Sequence, residues 1–312
     1  MSSNIDKSHF ERLLEAGKFT VTAEIGPPMS ANAEFVRKRA RELRGYADAA
    51  YVTDNQTAIV RMSSIAAAML VAEEGLEPIV QMTCRDRNRI AIQSDLLGAY
   101  ALGLRNLLVL SGDHQSFGNH PQSKNVYDVD SSQLIKALTD LQDKGVFMGG
   151  TACKSAPRFF IGGAGHPFAD PQELQVMRIK KKVAGGARFI TTQAIYDIDK
   201  FKQWMKLIRT QGLHKRTYIQ AGICVNKTLK SLQMTKLVAG MDVPDYLIDR
   251  MDKAEDKQAE GVNIAVDLLS QIMEIEGVSG IHIMAIGWEA IVPTIVERLG
   301  ILPRPILASQ EV

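Results

Sequence analysis

The sequence predicts an α/β fold, a single (β/α)8 TIM barrel that takes up residues 1–312 as one domain. Short apolar runs rich in β-branched residues alternate with longer amphipathic segments, and this alternation repeats eight times without a break in composition. The apolar runs are continuous, which is typical of parallel strands buried on both faces. A doubly wound open sheet is the alternative, because it uses the same alternation.

Each strand and helix follows from its local pattern. The strands are predicted at residues 19–26, 49–54, 78–84, 106–112, 159–165, 189–194, 218–224 and 280–286. Apolar positions that recur every three or four residues predict helices at 33–43, 62–74, 90–102, 131–141, 172–183, 199–209 and 288–299. Several helices are followed by a glycine such as Gly75 or Gly145, which suits a helix C-terminus. Two connections, 113–130 and 225–277, are long, and the second is expected to be largely helical.

The composition excludes several classes of protein. With 46% hydrophobic and 23% charged residues and a net charge of +2, the chain has no overall attraction to nucleic acid or membrane. Cys84, Cys153 and Cys224 lie far apart and form no CxxC pair, so neither a disulfide framework nor a thiolate metal site is predicted. No apolar leader and no run of about 18 apolar residues occurs, so we expect a cytoplasmic protein.

Polar residues at the carboxyl ends of the strands are the candidates for chemistry in a barrel of this kind. Glu24 ends the first strand, where an apolar setting would raise its pKa and let it donate a proton; an exposed turn acid is the alternative. Asp113 follows the fourth strand, as a ligand contact or as a turn aspartate bonded to its own backbone. Gln193 ends the sixth strand with an amide suited to a heterocycle edge, or to a neighbouring protein group.

A second group of candidates follows the fifth strand. His166 comes after the glycine-rich run 162–165, where a flat ligand could lie against the backbone, although a structural histidine explains the same residue. Arg178, Lys181 and Lys182 fall on one side of the next helix and suit a diphosphate or a solvated face. Neither GxGxxG after a strand nor GxxxxGK[ST] occurs. We predict no zinc site, because the histidines lack metal-ligand spacing.

Taken together and in this order, these residues resemble the methylenetetrahydrofolate reductase family over nearly the whole chain. No one piece is specific, but their joint order and spacing are. The pieces are Glu24 before Pro27-Pro28, Gly112-Asp113, His166-Pro167, the lysine-rich helix leading through Gly185-Gly186-Ala187 to Thr192-Gln193, the stretch 261–265, Gly277-Val278 and His282.

The resemblance implies a flavin at the barrel mouth and hydride transfer from the reduced flavin to 5,10-methylenetetrahydrofolate, giving 5-methyltetrahydrofolate. Glu24 matches the general acid, Asp113 a catalytic carboxylate near flavin and pterin, and Gln193 a folate contact. The resemblance implies FAD as the cofactor and NADH or NADPH as a candidate electron donor. Positions implied to hold the flavin are Thr53, Gln81, Asp113, Tyr127, His166, Arg178, Lys181 and Lys182.

Departures from the family pattern leave several questions open. Ser111 replaces an arginine, Gly162 an aromatic residue at the start of the fifth loop, and Gln81 a histidine, so FMN is a serious alternative to FAD. The segments 223–225 and 285–289 also differ, on the substrate side. They suggest an electron-donating partner protein with an iron–sulfur or zinc centre, and hence a hetero-complex or a homo-oligomer. The chain could also be a barrel subunit without independent turnover, or a flavin-free nicotinamide-dependent reductase.

Overall fold

Eight parallel strands close into a barrel in chain order, with β1 paired to β8, in a computed structural model that describes residues 7–238 and 240–307. The predicted TIM barrel is therefore confirmed. The strands are β1 Thr20–Ile25, β2 Ala49–Val52, β3 Pro78–Thr83, β4 Asn106–Leu110, β5 Phe160–Gly165, β6 Phe189–Ala194, β7 Tyr218–Cys224 and β8 Val278–Met284.

Helices surround the barrel and connect its strands. They are α1 His9–Glu15, α2 Ala33–Leu43, α3 Ser64–Glu73, α4 Arg89–Ala101, α5 Ser131–Lys144, α6 Gln172–Ala184, α7 Ile198–Thr210, α8 Leu229–Lys236, α9 Asp245–Lys253, α10 Lys257–Met273 and α11 Val292–Arg298. The long connection between β7 and β8 contains α8, α9 and α10, which confirms the prediction that it is largely helical. The helix predicted at 288–299 is divided into a 3-10 turn, Glu289–Ile291, and α11.

The eight strands were predicted in the right places, but several of their ends were wrong. Asp54 and Gly112, placed inside strands, lie in the loops that follow β2 and β4. The last strand begins two residues before the predicted Gly280 and ends at Met284. At Gly112 the backbone has already left the strand conformation, with a φ of 90°.

Helix α1, which the sequence did not predict, closes the amino-terminal end of the barrel. The Phe10 ring packs edge-on against Phe160 at 5.8 Å and Phe189 at 5.5 Å between ring centroids, and the three side chains are buried. Beside it, Arg158 pairs with the buried Glu11 carboxylate at 2.6 Å. The interior of the barrel is therefore filled with aromatic and aliphatic side chains at this end.

The glycines of β5 make room for protein side chains. A Cβ atom on Gly162 would lie 2.2 Å from the Phe189 ring, and one on Gly163 would lie 3.2 Å from Cδ of Lys182. Gly162 thus lies within β5 and not at the start of a loop, and our expectation that this run leaves space for a flat ligand was wrong at these two positions. The space is taken by a barrel phenylalanine on one face of the strand and by a lysine stem on the other.

Across the described ranges, no helix has the length and apolar character needed to cross a membrane. Within the same ranges, no three His, Cys, Asp or Glu side chains are grouped in a way that could hold a metal ion.

Candidate functional site

A cavity of about 320 Å³ opens at the carboxyl ends of the strands, where the fold class places its chemistry. Its wall brings together six of the side chains predicted from the sequence: Glu24, Gln81, Asp113, His166, Lys182 and Gln193. Four further predicted residues, Thr53, Tyr127, Arg178 and Lys181, are not part of that wall.

Glu24 stands on the cavity wall as part of a short polar chain. Its side chain is 12% exposed, and its Oε2 lies 3.7 Å from Nε2 of His282 on β8. The other imidazole nitrogen, Nδ1, is 3.2 Å from the Thr22 hydroxyl, which donates its own proton to the Ile281 carbonyl oxygen at 3.1 Å. Nδ1 must therefore carry a hydrogen, because the Thr22 oxygen is left as an acceptor. Nε2 then presents its lone pair to the Glu24 carboxyl, just beyond hydrogen-bond distance.

The imidazole of His282 also lies over the ring of Tyr51 on β2. The ring centroids are 4.3 Å apart and the planes are tilted by 56°. The Tyr51 hydroxyl is 2.5 Å from the Thr191 hydroxyl, and burial raises the pKa of Tyr51 well above its usual value. The sequence analysis assigned no role in the site to Tyr51 or His282. A histidine within the apolar strand 278–284 could have indicated a functional side chain inside the barrel.

Asp113 holds a neighbouring loop. Its Oδ2 accepts a hydrogen bond from the Thr57 backbone N–H at 2.9 Å, so the alternative of a turn aspartate bonded to its own backbone does not describe this carboxylate. The loop it holds is strained, because Asn55, Thr57 and Ala58 all have a positive φ, which is rare for residues other than glycine. Asp113 is solvent-exposed at the cavity rim, with its other oxygen available to a ligand.

A buried arginine ties the loops after β2, β3 and β4 together. Arg85 donates to the carbonyl oxygens of Asn55 at 3.2 Å and Asp113 at 3.1 Å, and pairs with Asp86 at 2.6 Å. The nearby Thr53 hydroxyl donates to Oε1 of Gln56 at 2.5 Å, and Thr53 is 2% exposed. Thr53 therefore lies behind the cavity wall and supports it through Gln56.

The side-chain amides of Gln81 and Gln193 face the cavity without a hydrogen-bond partner among the described residues. Near Gln193, the pairing of β6 with β7 is irregular between Thr191 and Ala194. There the Thr192 hydroxyl accepts a hydrogen bond from the Gly222 N–H at 2.9 Å and donates one to the Gln193 carbonyl oxygen. Such irregularities redirect side chains near active sites. The Gln193 and Gln81 amides remain free to bind polar ligand atoms.

Lys182 and His166 line the side of the cavity next to β5, and Arg178 on α6 lies near enough to affect the charge of both; these three residues form the basic cluster. The Lys182 Nζ donates to the Ala164 carbonyl oxygen at 2.6 Å, and burial together with Arg178 lowers the pKa of Lys182 to about 8. Burial, Lys182 and Arg178 lower the pKa of His166. Neither Lys182 nor Arg178 forms an ion pair with a described residue, so the cluster lacks a counter-anion of its own and suits a phosphate group.

Lys181 and Tyr127 lie elsewhere. Lys181 is exposed and borders two grooves outside the barrel, one along α5 and one that includes Gln211 after α7. Of the three basic residues predicted to share a side of this helix, only Lys182 is seen to contact β5, through the Ala164 carbonyl oxygen. Tyr127 is 38% exposed, and its hydroxyl donates to the Gly112 carbonyl oxygen at 3.2 Å, next to Asp113.

One of the two unusual segments is not a loop. Ile223 and Cys224 belong to β7, and the Val225 N–H continues the pairing by donating to the Met284 carbonyl oxygen at 2.9 Å. The segment 285–289 does form the connection after β8, where Glu289 pairs with Arg39 at 3.0 Å and Ile286 is 59% exposed. The exposed change on the substrate side is therefore confined to this connection.

Comparison with known proteins gives a consistent family signal. The family model described as methylenetetrahydrofolate reductase matches residues 9–300. Methylenetetrahydrofolate reductase 2 of Saccharomyces cerevisiae is 27% identical over 240 residues, which cover 73% of this chain and 37% of that protein. The 5,10-methylenetetrahydrofolate reductase of Pectobacterium carotovorum is 23% identical over 233 residues, 73% of this chain and 72% of that protein. The chain thus spans little more than a third of the length of the yeast relative.

Solved structures with the same architecture include an uncharacterized protein from Clostridium thermocellum that binds two copies of 5-methyl-5,6,7,8-tetrahydrofolic acid. It superposes with a TM-score of 0.65 at 14% identity, over 95% of this chain and 99% of that one. The EDTA monooxygenase EmoA from Chelativorans sp. BNC1 gives a TM-score of 0.55 at 11% identity, over 90% and 93% of the two chains. At these identities the likeness shows the fold alone.

Proposed function

Because the chain belongs to the methylenetetrahydrofolate reductase family, we propose that it reduces 5,10-methylenetetrahydrofolate to 5-methyltetrahydrofolate at the mouth of its barrel. The observation that carries the proposal is the Glu24 carboxyl on the cavity wall, 3.7 Å from a histidine whose tautomer is set by Thr22. A protonated Glu24 carboxyl would carry one exchangeable proton at a defined place on the wall, as a general acid requires.

In the proposed reaction Glu24 gives its proton to a ring nitrogen of the folate. The methylene bridge then opens by breaking one C–N bond, and the remaining nitrogen forms an iminium that accepts a hydride at carbon. Once that proton has left, the Glu24 carboxylate and the Nε2 lone pair of His282 face each other at 3.7 Å, which favours the return of a proton to this pair after the reaction. The free Gln193 amide is placed to orient the pterin ring, and Asp113 to bind its donor groups while it holds the loop at Thr57.

A flavin fits the residues on the opposite side of the cavity. Lys182 and Arg178, which have no carboxylate partner among the described residues, would hold a flavin phosphate together with His166, and the free Gln81 amide would bind a polar edge of the cofactor. When bound and reduced, the flavin supplies the hydride. The resemblance favours FAD, while the uncharged Ser111 and the outward-facing Lys181 leave fewer cations for a second phosphate and favour FMN. Chromatography of the heat-released cofactor distinguishes the two.

The electron donor is a further part of the proposal. The connection 285–289, with Ile286 exposed at the rim, offers an apolar surface on the side where a nicotinamide would have to approach. We infer that a partner protein delivers electrons to the flavin and that the chain works in a hetero-complex. A cytoplasmic location is supported by Cys84, Cys153 and Cys224, all of which are free thiols.

Glu24→Gln tests the function. The flavin-loaded variant is expected to fold and keep its flavin, but to lose folate reduction by roughly 10² to 10⁴-fold, the usual contribution of a positioned acid. Glu77→Gln is the matched control, because Glu77 is a half-buried glutamate at the other end of the barrel, bonded to the Phe10 N–H and the Asn106 amide. Turnover of the Glu24 variant within tenfold of wild type would show that Glu24 is not the acid.

A further inference from the structure

The His282 imidazole packs against the ring of Tyr51. Thr22 fixes only one nitrogen of that imidazole, at 3.2 Å, and the Glu24 oxygen at 3.7 Å is too far away for a hydrogen bond. The χ2 torsion of histidine is soft and roughly two-fold, so one hydrogen bond does not by itself decide which nitrogen faces the carboxyl. The contact with Tyr51 supplies the missing constraint.

We propose that Tyr51 is a positioning residue that holds His282 with Nε2 toward Glu24 and thereby keeps the acid ready to donate. The inference rests on the proposed function for its effect on turnover, but not for its effect on the imidazole. Its first support is geometric: the two ring centroids are only 4.3 Å apart, so the Tyr51 ring packs directly against the imidazole and hinders its rotation.

Tyr51 is itself fixed at both ends. Its side chain is fully buried, its ring meets Phe189 edge-on with centroids 6.5 Å apart, and its hydroxyl is 2.5 Å from that of Thr191. Thr191 and Gln193, both on β6, line the same cavity. Tyr51 thus spans the barrel beneath the cavity, from the acid on one side to the strand of the folate amide on the other.

The titratable groups around His282 are Glu24 on β1, Tyr51 on β2 and Cys224 on β7. Burial raises the pKa of Tyr51, and burial followed by the charge of Glu24 raises that of Cys224 to about 11, so both stay neutral near pH 7. Glu24 is then the partner with which His282 exchanges charge.

The test compares two non-aromatic variants, Tyr51→Met and Tyr51→Leu, with the aromatic Tyr51→Phe, using the flavin-loaded protein with labelled histidine. By NMR, loss of the ring is expected to produce a mixture of the two tautomers of His282, where the wild-type protein shows the Nδ1–H form alone. Tyr51→Phe keeps the ring and should restore the single tautomer. Folate turnover should fall about tenfold or more in the non-aromatic variants, with a shifted pH profile, because a misplaced catalytic group is costly.

Phe160→Leu is the matched control, because Phe160 is a buried aromatic of the same interior cluster that does not contact His282. It should lose stability and keep the single His282 tautomer. A single tautomer in Tyr51→Met and Tyr51→Leu would overturn the proposal, and so would a tautomer mixture in the wild-type protein, which needs no variant at all. If the tautomers mix in these variants while Glu24→Gln retains turnover, the positioning role stands and the proposed acid fails.

Discussion

Replacing Lys182 with methionine should make the protein without flavin more stable and its flavin binding weaker. Lys182 is the clearest case for such opposite effects because its amine is buried on the cavity wall with no carboxylate partner among the described residues. Its pKa is lowered from the usual 10.5 to about 8, mainly by burial and then by Arg178. Methionine keeps the unbranched stem beside Gly163 and removes the charge.

The size of the effect follows from that lowered pKa. At about 1.4 kcal/mol per pH unit, holding the charged amine costs the folded state roughly 3 kcal/mol at pH 7. Methionine leaves the Ala164 oxygen without the Lys182 donor, a loss of about 1 kcal/mol. We therefore expect a net gain of roughly 1 to 2 kcal/mol in the free energy of unfolding. Because the charged bond to a phosphate is worth roughly 1.5 to 3 kcal/mol, the Kd for flavin should rise about 10 to 100-fold.

The pH dependence gives the sign of the effect. A lysine whose pKa is lowered by folding binds its proton more tightly in the unfolded chain, so wild-type stability rises between about pH 8 and 10.5 as that proton is lost. The advantage of Lys182→Met is therefore largest at pH 8 and below and disappears above about pH 10.5. Urea unfolding of the flavin-free proteins at pH 7, 9 and 10.5 measures it, and flavin must be removed because binding itself stabilises the fold.

Lys181→Met is the matched control, since this neighbouring lysine is exposed outside the barrel. It should change stability by less than about 0.5 kcal/mol and leave flavin binding as in wild type. The reasoning would be refuted by a Lys182→Met protein that is less stable than wild type at pH 7, or by a Lys181 variant that loses flavin while the Lys182 variant retains it.

Two other changes test the core and the electron donor. Gly162→Ala would put a Cβ 2.2 Å from the Phe189 ring, so overpacking should cost about 1 to 3 kcal/mol in thermal unfolding, whereas Gly98→Ala, with open space around it in α4, should be neutral or stabilising; equal melting temperatures would contradict this account. The flavin should be reduced slowly by NADH or NADPH and quickly by reduced viologen in stopped flow, and rapid bleaching by either nucleotide would exclude the need for a partner protein.

The barrel and part of its cavity wall could be predicted because both depend on local rules. Continuous apolar runs mark strands buried on two faces, and the carboxyl ends of parallel strands meet at one face, which brings Glu24, Asp113 and Gln193 together. Lys181 could not be separated from Lys182 by spacing alone. What separates them is the gap at Gly163, through which only the Lys182 stem reaches the cavity wall, and that gap depends on how α6 packs on β5.

Contacts between side chains of different strands could not be predicted from the sequence either. Tyr51 and His282 are 231 positions apart, and their contact depends on β1 lying between β2 and β8 in the closed sheet. Nothing in the run of glycines before His166 indicates that the Phe189 ring will occupy the space of the missing Cβ at Gly162. Side chains that pack between distant strands have no signature in the local pattern of either one.

The closure of one barrel end by α1 sets an order of events for the proposed reaction. Phe10, Phe160 and Phe189 fill that end, so the route to Glu24 runs through the opposite opening. Folate seated there stands between the carboxyl and bulk water. The proton that Glu24 gives up in one cycle is then replaced only after the product has left. Glu24 must therefore be reprotonated before the next folate enters, and slow product release would also delay this step.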